Sequence, residues 1–103
     1  MLDQGSNSLW TKNPALAWRE IDGRTVIVSP LDSVLHELNE TGSFIWNLLD
    51  GVHSAEAIAA ELALEYEVDP EVARADTEAL VGTLAAQKLL LRAAAQPEGA
   101  AQR

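Results

Sequence analysis

Two histidines, His36 and His53, and two glutamates four apart, Glu61 and Glu65, are the side chains in this 103-residue chain whose types and spacing suggest chemistry. Histidine titrates near neutrality and serves as a general base or a metal ligand, and paired carboxylates can divide acid and base roles. Neither set is completed by its surroundings in the sequence. The histidines stand seventeen positions apart, with no carboxylate arrangement that marks a metal site or a catalytic base. Glu61 and Glu65 share a helical face, which is also how ordinary surface charge is arranged. With no cysteine there are no disulfides, no thiolate metal ligands and no thiol nucleophile, which fits a reducing compartment. No phosphate loop or nucleophile motif accompanies these residues. Asn39-Glu40-Thr41 has the form of a glycosylation acceptor, and helix capping accounts for it without a secretory pathway. These residues point to no catalysis, cofactor or metal centre of the chain's own, and recognition is the chemistry that remains.

Charge narrows what is recognised. Seven Lys plus Arg against sixteen Asp plus Glu leave a net charge of −9. Nucleic-acid binders draw affinity from clustered basic residues that neutralise phosphates, so this chain is a poor candidate, and anionic membranes repel it for the same reason. Residues 1–49 carry −3 and residues 50–92 carry −6; between Asp50 and Glu78 a single base, Arg74, stands against nine acids. No signal peptide and no run of eighteen apolar residues is present, and the expected location is cytoplasmic.

The elements that position these residues follow from local signals. Residues 1–13 are mostly polar and read as a flexible arm, in which Trp10 is an isolated exposed aromatic or folds back on the sheet. Residues 93–103 are low in complexity and read as a disordered tail, leaving a folded domain over residues 14–92. Segments 17–21 and 25–29 flank Asp22-Gly23, whose permitted positive φ suits a two-residue hairpin turn, and Val26, Ile27 and Val28 favour a strand. Segment 33–38 makes a third strand, with Val34, His36 and Leu38 on one face and Leu35 and Glu37 on the other. From Asn39 the period changes to that of a helix, which ends at Asp50-Gly51, and His53 falls in the turn that follows. Ser54 caps a second helix reaching Tyr66, and Asp69-Pro70 starts a third that runs to about Lys88. On that helix the apolar stripe is Ala73, Thr77, Leu80 and Leu84, broadened by Val72 and Val81. The expected fold is α+β, a three-stranded antiparallel sheet followed by three helices, compatible with a winged helix-turn-helix.

On these residues the chain resembles a known family. Leu38-Asn39-Glu40-Thr41, Ile45-Trp46 and Leu48-Leu49-Asp50-Gly51, followed by Ile58, Leu62, Val68-Asp69, Ala75-Asp76, Leu80, Leu84 and Leu89-Leu90, look like the PqqD superfamily. These are the small proteins named after pyrroloquinoline quinone biosynthesis protein D, also called RiPP recognition elements. Members dedicated to that pathway tend to show Leu-Cys-Asp-Gly where this chain has Leu48-Leu49-Asp50-Gly51, so the broader superfamily fits better. The resemblance implies a winged helix-turn-helix that catalyses nothing itself. It binds the leader of a ribosomally made precursor peptide and presents the core portion to a modifying enzyme, often a radical SAM protein.

In the family the leader docks as an added strand beside the third strand and against the third helix. Carried onto this chain, the peptide-binding residues are Val34, Leu35, His36, Glu37 and Leu38 on the strand, with Thr77, Leu80, Val81 and Leu84 on the helix. Thr77 stands where an aliphatic residue is usual, which is expected if that helix face borders the groove. The acidic helical half would then face a basic leader or a basic patch on the enzyme, the alternative being a solvated face that keeps the domain soluble. The rival functions are a protein–protein adaptor with a folded partner and a DNA-binding winged helix. The third helix offers a nucleic acid only Arg74 and Lys88 among Glu71, Asp76 and Glu78.

Overall fold

The computed structural model describes residues 9–30 and 33–93. The first part of the expected arm and most of the expected tail lie outside the described residues. In chain order the elements are β1 (Leu9–Lys12), β2 (Ala17–Ile21), β3 (Arg24–Ser29), β4 (Val34–Leu38), α1 (Glu40–Leu48), β5 (Asp50–Ser54), α2 (Ala55–Tyr66), α3 (Pro70–Ala86) and β6 (Leu90–Arg92). The strands form two antiparallel three-stranded sheets, ordered β2-β3-β4 and β5-β1-β6. The expected α+β fold with three helices is present, and the arrangement is winged-helix-like; the second sheet is the addition.

The first sheet follows from its hairpin. Asp22 and Gly23 have φ of 54° and 80°, the two positive values that a type I′ turn demands, and they place Ile21 opposite Arg24. From there the register runs through Trp18↔Ile27 to Ile27↔His36 and Thr25↔Leu38. β4 lies at one edge of this sheet and β2 at the other.

The second sheet overturns two sequence expectations. Leu9–Lys12, expected in the flexible arm, is its central strand, and Ala93, assigned to the tail, donates its N–H to the Leu9 carbonyl at 2.8 Å. The four residues Leu9-Trp10-Thr11-Lys12 do not alternate in character and carry too little periodicity to announce a strand whose partners lie forty and eighty positions away. Trp10 accordingly folds back. It packs on the core, with the Arg92 guanidinium 5.3 Å above its ring. His53 stands on β5 and not in a plain turn; β5 bulges against β1, with Gly51 at φ 85° beside the Thr11 and Ala93 Cβ atoms.

Both sheets meet the helices around Trp46, which is fully buried with Ile27, Ile45, Leu49, Ile58, Leu84 and Leu89. Trp18 stands edge-on to Trp46 at 5.7 Å, and the Lys12 ammonium lies 5.6 and 5.4 Å from the two rings while donating to the Leu49 carbonyl at 3.0 Å. Burial lowers the Lys12 pKa, and the nearby Asp50 carboxylate only partly opposes it. Lys12 thus ties β1 to the end of α1. Helices α2 and α3 are capped as expected by Ser54 and Asp69, which accept from the N–H groups of Ala57 and Glu71. Of the two cap residues open for α1, Asn39 and Thr41, it is Asn39 that accepts, from Gly42.

Candidate functional site

Where β4 turns into α1, the chain leaves a groove against α3. It has a volume of about 520 Å³ and is lined by Glu37, Leu38, Asn39, Thr41, Gly42 and Ile45 on one side and by Asp76, Ala79, Leu80 and Thr83 on the other. Gly42 makes the closeness possible. A Cβ there would stand 3.1 Å from Asn39 Oδ1, 3.3 Å from Leu38 Cβ and 3.6 Å from Leu80 Cδ2, so the absent side chain lets the first turn of α1 sit on the strand end and on α3. The Asn39 carboxamide oxygen is committed locally, accepting from the Gly42 N–H at 2.8 Å and the Thr41 hydroxyl at 3.2 Å.

The hairpin also decides which backbone groups the β4 edge offers. In a two-residue hairpin the flanking residues exchange hydrogen bonds, so Arg24, Val26 and Val28 direct their backbone groups to β2 while Thr25, Ile27 and Ser29 direct theirs to β4. Their partners Leu38, His36 and Val34 point back to β3. Leu35 and Glu37 therefore turn their N–H and C=O groups outward. Ser43 fits this scheme: its buried hydroxyl accepts from the Thr25 N–H at 2.7 Å and lies 3.5 Å from the Leu38 carbonyl, bridging the last rung of the ladder from α1.

The expected site residues separate into three groups. Glu37, Leu38 and Leu80 meet at the groove. Val34 and Leu35 are exposed, at 44% and 62%, and His36 is half-buried on the inner face with its Nε2 enclosed and without a partner. Thr77, Val81 and Leu84, by contrast, are buried in the core. They are not among the residues that line the groove. The inward face of α3 follows the expected stripe: Ala73, Thr77, Val81 and Leu84 are buried, Leu80 is half-buried against the core, and Val72 alone of the stripe is exposed. Thr77 brings a hydroxyl with no partner into that core.

Asn39, Thr41, Gly42, Ile45, Asp76, Ala79 and Thr83 line the groove without having been among the expected site residues. The helical spacing 76, 79, 80, 83 is the signal that would have found the α3 members, as the face next to the buried stripe. The α1 members come to the groove only through the tight strand-to-helix turn.

The other polar constellation lies outside the groove. Asp50 Oδ1 accepts from the N–H groups of Val52 at 2.9 Å and His53 at 3.2 Å, and both carboxylate oxygens lie 3.1 Å from His53 Nδ1. Desolvation raises the Asp50 pKa, but these hydrogen bonds and the His53 charge together outweigh it and hold the group at about 2. Burial, with Glu40 and Glu65 nearby, raises the Tyr66 pKa. Among the described residues no group of three or more His, Asp or Glu could hold a metal ion, and no helix is long and apolar enough to cross a membrane.

Comparison with known proteins follows this geometry. The family model for coenzyme PQQ synthesis protein D (PqqD) matches residues 24–90. Among solved structures, TbiB1 in complex with the TbiA(beta) leader peptide is 28% identical, with a TM-score of 0.71 over 78% of this chain and 93% of that one. Lasso peptide synthetase B1 complexed with the leader peptide is likewise 28% identical, with a TM-score of 0.71 over 80% of this chain and 96% of that one. The solution structure of the PqqD truncation of Methylobacterium extorquens PqqCD, a stand-alone RiPP recognition element, is 21% identical, with a TM-score of 0.68 over 88% of this chain and 100% of that one. That last likeness bears on the fold alone. No curated protein matches the chain.

Proposed function

This chain belongs to the PqqD family, and from that premise we propose that it is a non-catalytic peptide chaperone. It binds the leader of a ribosomally synthesised precursor peptide and presents it to a modifying enzyme, for which a radical SAM protein is the candidate. The observation that carries this reading is the β4 edge, which among the described residues pairs only with β3 and whose Leu35 and Glu37 backbone groups face outward beside a groove of mixed polar and apolar lining. An extended peptide satisfies those groups by adding a strand, and its alternate side chains enter the groove. Two proteins of similar fold, each 28% identical to this chain, hold leader peptides, which supports the same use here. Val34, His36 and Leu38 then support the docking strand, and Thr77, Val81 and Leu84, buried in the core, hold α3 at its distance. Ordering a disordered leader costs roughly 2–5 kcal/mol, so affinity on the order of micromolar to high nanomolar is expected.

The test is binding of labelled leader peptides, taken from short reading frames beside the gene, to the wild type and to Leu35→Pro and Glu37→Pro. Each proline removes one outward donor and leaves the β3–β4 ladder intact. Loss of binding by variants whose circular dichroism matches the wild type supports strand addition; undiminished binding refutes it.

A further inference from the structure

The groove has a charge as well as a shape. Among the described residues no Lys, Arg or His lines it, and its two carboxylates are Glu37 on β4 and Asp76 on α3. Glu37 lies 3.9 Å from the Arg24 guanidinium, both side chains more than half exposed. Asp76 has no ion-pair partner among the described residues, since the one nearby base on α3, Arg74, lies toward Glu71 at 3.9 Å. The remaining polar groups on the α1 side, Asn39 and Thr41, are bonded to each other and to the cap. A peptide carrying an acid here would meet repulsion, and one carrying only apolar groups would leave Asp76 less solvated and unpaired.

We propose that Asp76 is the residue that selects the bound leader segment, by pairing with a Lys or Arg two positions from the apolar side chain that fills the groove. This deepens the leader-binding reading and rests on it. The spacing comes from matching two repeats. Asp76 and Leu80 are one helical turn apart, about 6 Å along α3, and side chains on the same face of an extended strand recur every two residues, about 6.8 Å. A segment lying along this wall sets one side chain on Ala79, Leu80, Leu38 and Ile45 and the next on its face beside Asp76. Specificity then comes from the charge of one wall residue, and the strand edge supplies affinity indifferent to sequence.

A display library of random twelve-residue peptides, selected against the wild type and against Asp76→Asn and Asp76→Arg, tests this. Winners are resynthesised and titrated by fluorescence anisotropy at low and high salt. Wild-type selection is expected to enrich Lys or Arg two residues from a large apolar residue. Asp76→Asn should weaken those peptides by about three- to tenfold, the range for a half-exposed charged hydrogen bond, and Asp76→Arg should turn the preference to Asp or Glu. Winners that lose binding to Glu37→Pro but carry no basic enrichment, or are unmoved by both Asp76 variants, overturn this inference and leave strand addition standing. A library that yields no binder, or only binders indifferent to Glu37→Pro, overturns the leader-binding reading and the inference with it.

Discussion

Individual residues show where local rules were overridden. Thr77 is fully buried with its Oγ1 unpartnered, so Thr77→Val, which keeps the shape and removes an unsatisfied hydroxyl, should stabilise the domain by roughly 1 kcal/mol in a urea titration. Gly42 works the opposite way. Alanine gains up to about 1 kcal/mol of helix propensity, yet its Cβ would press on Leu38 Cβ, fixed to its backbone, and on Asn39 Oδ1, held by its cap bond; overpacking of about 1–3 kcal/mol wins, and Gly42→Ala should lower stability. Asp50 gives a pH dependence. Its folded pKa of about 2 lies below the ordinary aspartate value of 3.8, so its contribution is present above pH 4 and lost as pH falls towards 2. Acid unfolding followed by tryptophan fluorescence should therefore be shallower in Asp50→Asn through that window. The sequence announced Ser54 and Asp69 as caps and Asn39 or Thr41 for the first helix, of which Asn39 caps it, because capping is decided within four residues. It did not announce the roles of Thr77 and Gly42, which depend on what packs from elsewhere.

Among the elements, β4 and β1 make opposite cases. β4 was legible because the Asp22-Gly23 turn sets the pairing of β2 with β3, and the short link from Ser29 brings β4 alongside. The same register separates two substitutions one residue apart. Glu37→Pro, on the outward side, should keep the far-ultraviolet spectrum, while His36→Pro, whose N–H points to β3, should break the ladder and lower the melting temperature by ~10 °C or more. β1 was not legible, since its partners β5 and β6 come from distant parts of the chain. Its central place gives a plain expectation: a chain beginning after Lys12 loses the middle strand and the Lys12 contact with Trp18 and Trp46, and should lose its cooperative thermal transition. An unchanged melt of that truncation would mean the second sheet contributes nothing to stability.

For the whole molecule, the charge of −9 is unevenly placed. Nine of the sixteen acids fall between Asp50 and Glu78, with Arg74 as the one base in that stretch, and like charges this dense repel across the helical surface. Raising ionic strength from ~10 mM to ~150 mM shortens the Debye length from about 30 Å to about 8 Å, so the melting temperature should rise over that range. A fall would show that attractive pairs dominate. Association with a basic partner should weaken over the same range, so salt separates the two effects by sign.

The sequence by itself determined the fold class, the hairpin, the helix caps, the family and the sign of the charge, because each is written in residues close together or in composition. Tertiary structure alone decided that Leu9–Lys12 is a central strand, that Thr77, Val81 and Leu84 are buried in the core, and that Asp76 and Glu37 line one groove. The physical reason is that a helical period tells which side chains share a face and not what packs against that face. The apolar stripe of α3 was legible, but only the packing shows that Thr77, Val81 and Leu84 fill the core while Asp76, Ala79, Leu80 and Thr83 line the groove.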